Sequence, residues 1–187
     1  MSDMLINFKS LEGSKIVKPT HKKKKSVKNI SSVKSLEELD SKDVISSLQL
    51  RFLNHKYQIN NAYIFDWESD FFSVSDSGYV YEVEVKITRS DFKDDFNKVN
   101  KHKLLESVDP ITAKKKPNKF FYAAPKGLLS TAMIPPYAGL IEVTSPDSIA
   151  VVVKDAPFLH REDSFTNLKD VLLDKFYYRY RDFLLKG

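Results

Sequence analysis

The stretch YVYEVEVKITRSDF, residues 79 to 92, alternates with the period of two that belongs to a β-strand. Tyr81, Val83, Val85 and Ile87 fall on one face, and Val80, Glu82, Glu84, Lys86 and Thr88 fall on the other. If the second face met only water, its charges would form a solvated row with some cross-strand pairing. If it meets a cleft, Glu84 and Lys86 are an acid and a base held about 7 Å apart on one rigid strand.

The surrounding pattern favours the cleft. Asp76-Ser77-Gly78 is a three-residue loop ending in glycine, the type I turn with a glycine bulge that joins hairpin strands. DFFSVS, residues 70 to 75, is then the partner strand, and NAYIF, residues 61 to 65, is an earlier one. Ser35-Leu36-Glu37-Glu38 has capping-box form, and Val44, Ile45, Leu48 and Phe52 recur at helical spacing, so a helix is expected over about 42 to 55. Ser90 opens a second helix, with Asp91, Asp94 and Asp95 in the first turn, where the dipole favours acids, and Phe92, Phe96 and Val99 on the inner face.

TAKKKPNK reads as a basic loop, and KFFYAAP, AGLIEVTS and SIAVVVK as three short strands. Residues 165 to 186 make a last helix with Phe165, Leu168, Leu172, Phe176, Tyr180 and Phe183 along one stripe. A hairpin followed by a crossover helix and a further strand makes an α/β fold with a mixed central β-sheet flanked by helices. The middle of such a sheet has no free face. A charged row on a central strand must be paired or line a cleft.

Charge divides the chain in two. Residues 1 to 34 carry nine lysines against Asp3 and Glu12, or +7, which leaves 21 basic and 23 acidic side chains, or −2, for residues 35 to 187. The N-terminal arm, with Lys22, Lys23, Lys24 and Lys25 at its centre, is expected to be disordered alone or bound to a partner. Those lysines suit DNA phosphates, whose attraction is salt-dependent and blind to sequence, although a merely solubilising terminus fits as well. The remaining 35 to 187 read as one domain.

Several function classes fall away. The chain has no cysteine, so disulfides, zinc-thiolate sites and thiol nucleophiles are excluded. Its four histidines lack metal-binding spacing. No apolar run approaches the ~20 residues of a membrane span, and no apolar stretch follows a basic start, so no membrane partner is expected. The expected place is the cytoplasm or a particle assembled there.

Hairpin register brings acids together. If Ser75 pairs with Tyr79, partner numbers sum to 154, and Asp70 lies opposite Glu84 with Cβ atoms roughly 5 Å apart. Two ionised carboxylates so placed repel unless one is protonated or a cation sits between them. Mg²⁺ or Mn²⁺, which take oxygen ligands and keep some water, would suit Asp70 and Glu84. Lys86 could then orient or deprotonate a water and stabilise charge developing on a phosphodiester. In the same register Glu68 lies opposite Lys86 and could pair with it. Glu82 reads as a pairing or supporting group, and Trp67 as a packing or loop anchor.

An aspartate followed, across a hairpin, by Glu-x-Lys resembles the signature of the PD-(D/E)XK nuclease superfamily, with Asp70, Glu84 and Lys86 in the matching positions. VEVKITRSDFKDDFNK followed by FFYAAPKGL and YAGLIEV looks like the MmcB-type DNA-repair branch and its phage-encoded relatives, over roughly residues 42 to 154. The resemblance implies a restriction-endonuclease-like core, Mg²⁺ or Mn²⁺ as cofactor, DNA as partner, and Asp70, Glu84 and Lys86 as catalytic residues. Departures are Ser69 where a proline precedes the motif aspartate, and a first helix whose inner positions, Leu48, Gln49 and Phe52, bring no further acid.

A second class competes with the enzyme: a neck, portal or tail-ring protein of a tailed phage, built on this fold without catalysis and touching copies of itself or other phage structural proteins. The near-neutral domain favours it, since free-standing DNA enzymes usually carry a basic face. In FYYRYRDF, aromatics alternate with Arg179 and Arg181, which suits a protein interface better than base stacking. Deleting residues 1 to 34 is expected to leave the melting temperature nearly unchanged while weakening DNA retention or assembly. A large fall in melting temperature would make the arm part of the fold.

Overall fold

The hairpin forms in the register set by its turn. In the computed structural model, which describes residues 34 to 186, β2 (Glu68–Val74) pairs antiparallel with β3 (Val80–Val85) from Val74–Val80 to Phe71–Val83, so partner numbers sum to 154. Gly78 takes φ +79°, the left-handed conformation that the bulge requires. The arm, with Lys22, Lys23, Lys24 and Lys25, lies outside the described residues.

Six strands form one sheet in the order β1 (Tyr57–Tyr63), β2, β3, β4 (Lys119–Pro125), β5 (Ala138–Val143) and β6 (Val151–Lys154). The β3, β4 and β5 strands run parallel, and the remaining pairings are antiparallel. This is an α/β fold with a mixed sheet flanked by helices. No helix among the described residues is long and apolar enough to cross a membrane.

Helix α1 (Ser41–Arg51) covers one face, with Val44, Ile45 and Leu48 against Phe71, Val83, Val85, Phe121 and Ile141. On the other face lie α2 (Arg89–Asp95), α3 (Val99–Glu106) and the first turns of α4 (Ser164–Lys186). Two apolar clusters form there. Phe92, Leu105, Phe120, Tyr122 and Leu140 make one, while Ile59, Phe72, Val74, Val80, Leu168 and Leu172 make the other. Glu82 and Glu84 of β3 fall on the seam between them.

Local expectations shift in informative ways. The Ser35 box closes only a 3₁₀ turn, Leu36–Glu38, while Asp40 caps α1 by accepting from the N–H groups of Lys42 and Asp43. The first strand begins at Tyr57 instead of 61, because Tyr57 to Ile59 pair with Val74 to Phe72. Thr88, not Ser90, caps α2. The helix expected to continue through Phe96 and Val99 breaks there, leaving both side chains exposed.

Lys116 in the basic loop is buried, its ammonium donating to the Leu104 and Ser107 carbonyls at the end of α3. Of the last stripe, Phe165, Leu168 and Leu172 pack on the sheet, but Tyr180 and Phe183 face solvent. Arg179 donates to the carbonyls of Asn60 and Asn61 in β1.

Gly139 marks the tightest approach in the sheet. A Cβ there would lie 2.4 Å from the Phe121 ring and 2.7 Å from the Ala156 nitrogen. Gly139→Ala is expected to destabilise the fold by about 1–3 kcal/mol, measurable as a lowered denaturation midpoint with an unchanged slope. An unaltered midpoint would mean that β5 can move away from Phe121 freely.

Candidate functional site

Glu84 and Lys86 stand at the carboxyl end of β3, at the centre of the sheet. Beyond the Phe71–Val83 pair the next inward N–H, that of Val85, donates to Asp70 Oδ2 at 2.8 Å. Asp70 thus serves as a ladder acceptor through its side chain, which turns its carboxylate toward β3. Asp70, Glu84 and Lys86 line one open pocket of about 360 Å³, together with Asn61, Asp91 and Lys98. The structure therefore brings the three sequence-predicted residues together.

Glu84 is nearly inaccessible, and three ammoniums meet it. Lys86 lies 3.1 Å and Lys98 2.9 Å from Oε1, and Lys101 lies 2.6 Å from Oε2. Asp95, also buried, takes Lys98 at 2.9 Å, Lys86 at 3.3 Å and the Tyr122 hydroxyl at 2.9 Å. His102 bridges the carbonyl of Asp95 and the Tyr137 hydroxyl. Glu68 is exposed and does not pair with Lys86, whose ammonium turns to Glu84, Asp95 and Asp91 instead.

Burial and charge set the protonation of the cluster. Burial raises the Asp70 carboxyl, and the charge of Glu84 raises it further, to about 6, against the Val85 hydrogen bond and Lys86. Burial likewise pushes Glu82 up to about 7, although Lys101 opposes it and the Trp67 indole donates to it at 2.6 Å. Burial works against the Lys86 and Lys98 ammoniums, yet the carboxylates around them outweigh it and raise both. Burial also disfavours the Asp95 carboxylate, but His102 and the lysines hold it well below the usual range.

Asp95, Lys98 and Lys101 carry the site as much as the predicted trio does. Their i, i+3, i+6 spacing directly after a Glu-x-Lys strand is the signal for them in the sequence. The apparent apolar stripe of Phe92, Phe96 and Val99 masks it.

The donor set for a cation is short. Among the described residues no three histidine or carboxylate side chains converge on one point. Asp70 and Glu84 could share a single hard ion only if water completed its ligands, and such a charge would offset the burial and the Glu84 repulsion that raise Asp70. Both Glu84 oxygens already face ammoniums, so the ion would displace one of them. Lys98, 49% exposed against 4% for Lys86 and 3% for Lys101, is the one free to leave.

No protein-family model matches the sequence, and no curated protein does. Among solved structures, a protein of unknown function from Silicibacter pomeroyi aligns with a TM-score of 0.54 and 16% identity, over 79% of this chain and 90% of that one. At that identity the likeness concerns the fold alone.

The Asp70 shift has a measurable sign. The unfolded chain releases this proton near 3.8 and the folded one near 6, so its contribution favours folding below about pH 4 and is lost as pH rises through about 6. Asp70→Asn removes the charge and keeps an acceptor for Val85. In chelator, its stability relative to wild type should rise by about 1–3 kcal/mol between about pH 4 and pH 7. A difference flat with pH would place Asp70 in water, away from Glu84.

Proposed function

We propose that the chain is a Mg²⁺-dependent nuclease hydrolysing DNA phosphodiester bonds, with Asp70, Glu84 and Lys86 at its centre. The observation that carries this reading is the convergence of two carboxylates and an ammonium on one open pocket. That pocket lies at the carboxyl end of a central strand, where open α/β sheets bind ligands. The resemblance of Asp70 and Glu84-x-Lys86 to the PD-(D/E)XK signature adds to it.

Asp70 and Glu84 would hold Mg²⁺ or Mn²⁺, which when bound supplies positive charge against a phosphodiester oxygen. Lys86, its pKa raised by Glu84, Asp95 and Asp91, is an ammonium at neutral pH. It therefore stabilises charge on the phosphate and donates hydrogen bonds to it, a role that the sequence pattern left open beside that of a base. Asp95 and the buried Lys101 hold Lys86 and Glu84 in place. The lysines of the arm, Lys22 to Lys25, would raise local DNA concentration.

Asp70→Asn and Glu84→Gln should abolish Mg²⁺ binding in calorimetry and the nicking of supercoiled DNA. Lys86→Ala should bind Mg²⁺ yet cleave at least ~100-fold more slowly. Asp70→Asn is the cleanest of the three, because Glu84→Gln strips the counter-charge from two buried lysines. If wild type with millimolar Mg²⁺ or Mn²⁺ leaves supercoiled, linear and single-stranded DNA intact and binds no metal, the nuclease reading is wrong.

One observation favours the structural reading, a building block of a phage particle. Leu173, Tyr177, Tyr180 and Leu184 recur at coiled-coil spacing on the exposed part of α4, a surface suited to a neighbouring subunit. Light scattering that shows discrete rings, together with the absence of cleavage, would support it.

A further inference from the structure

A second pocket, of about 480 Å³, opens beside the first, and Lys98 lines both. Its walls are the loop before β2, with Asp66 and Trp67, and the corner between α2 and α3, with Asn97, Val99 and Asn100. Trp67 is held as a fixed plane. Its indole N–H donates to the buried Glu82 at 2.6 Å, and its ring packs on Phe65 with centroids 5.5 Å apart. Trp67 is part-exposed and lines the pocket, with the Lys101 ammonium 5.5 Å from its ring centroid, and Val99 is solvent-exposed at the rim.

This lining has the chemistry of nucleotide recognition. An aromatic plane offers a stacking surface that accepts any base, and the exposed Asn97 and Asn100 amides offer both donors and acceptors to a base edge. Lys98 supplies a cation on the side that faces the Asp70–Glu84 pocket. The space is within the range of small-ligand sites. A base within a duplex cannot reach a recessed plane without leaving its stack.

We propose that this second pocket takes one unpaired nucleobase of a DNA strand whose adjoining phosphate contacts Lys98. The preferred substrate is then single-stranded or frayed DNA. The inference rests on the nuclease reading of the neighbouring pocket, but base binding there requires neither metal nor cleavage.

The chain has a single tryptophan, Trp67, so its fluorescence reports on this pocket alone. Protein in chelator would be titrated with a four-thymidine strand, an abasic strand of equal charge and a blunt two-strand duplex closed by G·C pairs at both ends. The thymidine strand should quench Trp67 and bind about tenfold more tightly than the abasic strand, as one stacked base allows. The duplex should leave the fluorescence unchanged.

The basic arm would hold strands with and without bases alike, so the comparison isolates the base. Val99→Asp, an acid in the first turn of α3 where the dipole tolerates it, should keep the melting temperature and lose the quenching. No quenching, equal response to the abasic strand, quenching by the duplex, or an unaffected Val99→Asp would each overturn the proposal. DNA nicking without selective quenching would leave the nuclease reading standing and remove this subsite. Selective quenching without metal binding or cleavage would do the reverse.

Discussion

The structure depends on neutralising a row of charge that the sheet has buried. Glu82 and Glu84 of β3, and Lys86 just past its end, are all at most 3% exposed, on a strand with neighbours on both sides. Isolated carboxylates in such a place cost several kcal/mol each, and they persist only when paired and hydrogen-bonded. Here Lys86, Lys98 and Lys101 meet Glu84, while Trp67 and Lys101 meet Glu82. Replacing the row with apolar side chains of similar volume would relieve that cost, so the row adds little net stability of its own.

The network also explains the break between α2 and α3. A continuous helix from Arg89 to Glu106 would keep Asp95, Lys98 and Lys101 on one stripe of a straight rod. Interrupted near Phe96, the chain instead brings Asp95 beneath Tyr122 and swings the lysines back over Glu84. The corner produced by the break is also the wall of the second pocket. Apolar packing proceeds on either side of this seam, with Phe120 and Tyr122 in one cluster and Phe72 and Val80 in the other.

What the sequence disclosed follows from how local each determinant is. Period-two alternation, a glycine-ended turn and the sum of partner numbers are short-range facts, and they place Asp70 beside the Glu84 strand and all six strands near their observed positions. The lysines on Glu84 arise from a tertiary return of the chain, for which spacing alone carries no distance. Apolar spacing misled at Phe96 and Val99 because buried ion pairs outweighed the burial of two hydrophobic side chains. The Ser35 box forms but does not open α1, and the Glu68 pairing does not form, for a related reason. Asp40 is a better cap one turn later, and Lys86 finds acids nearer than Glu68.

Arg179 has a consequence for the boundary of the sheet. β1 is an edge strand, and an edge exposes unpaired carbonyls that can template addition of a foreign strand. At Asn60 and Asn61 those acceptors are occupied by a guanidinium reaching over from α4, and Asn61 itself turns to φ +48°, out of extended geometry. An incoming strand would find neither a continuous row of acceptors nor a flat backbone there. The last helix thus guards the β1 edge against a foreign strand at this point, beyond its packing against the core.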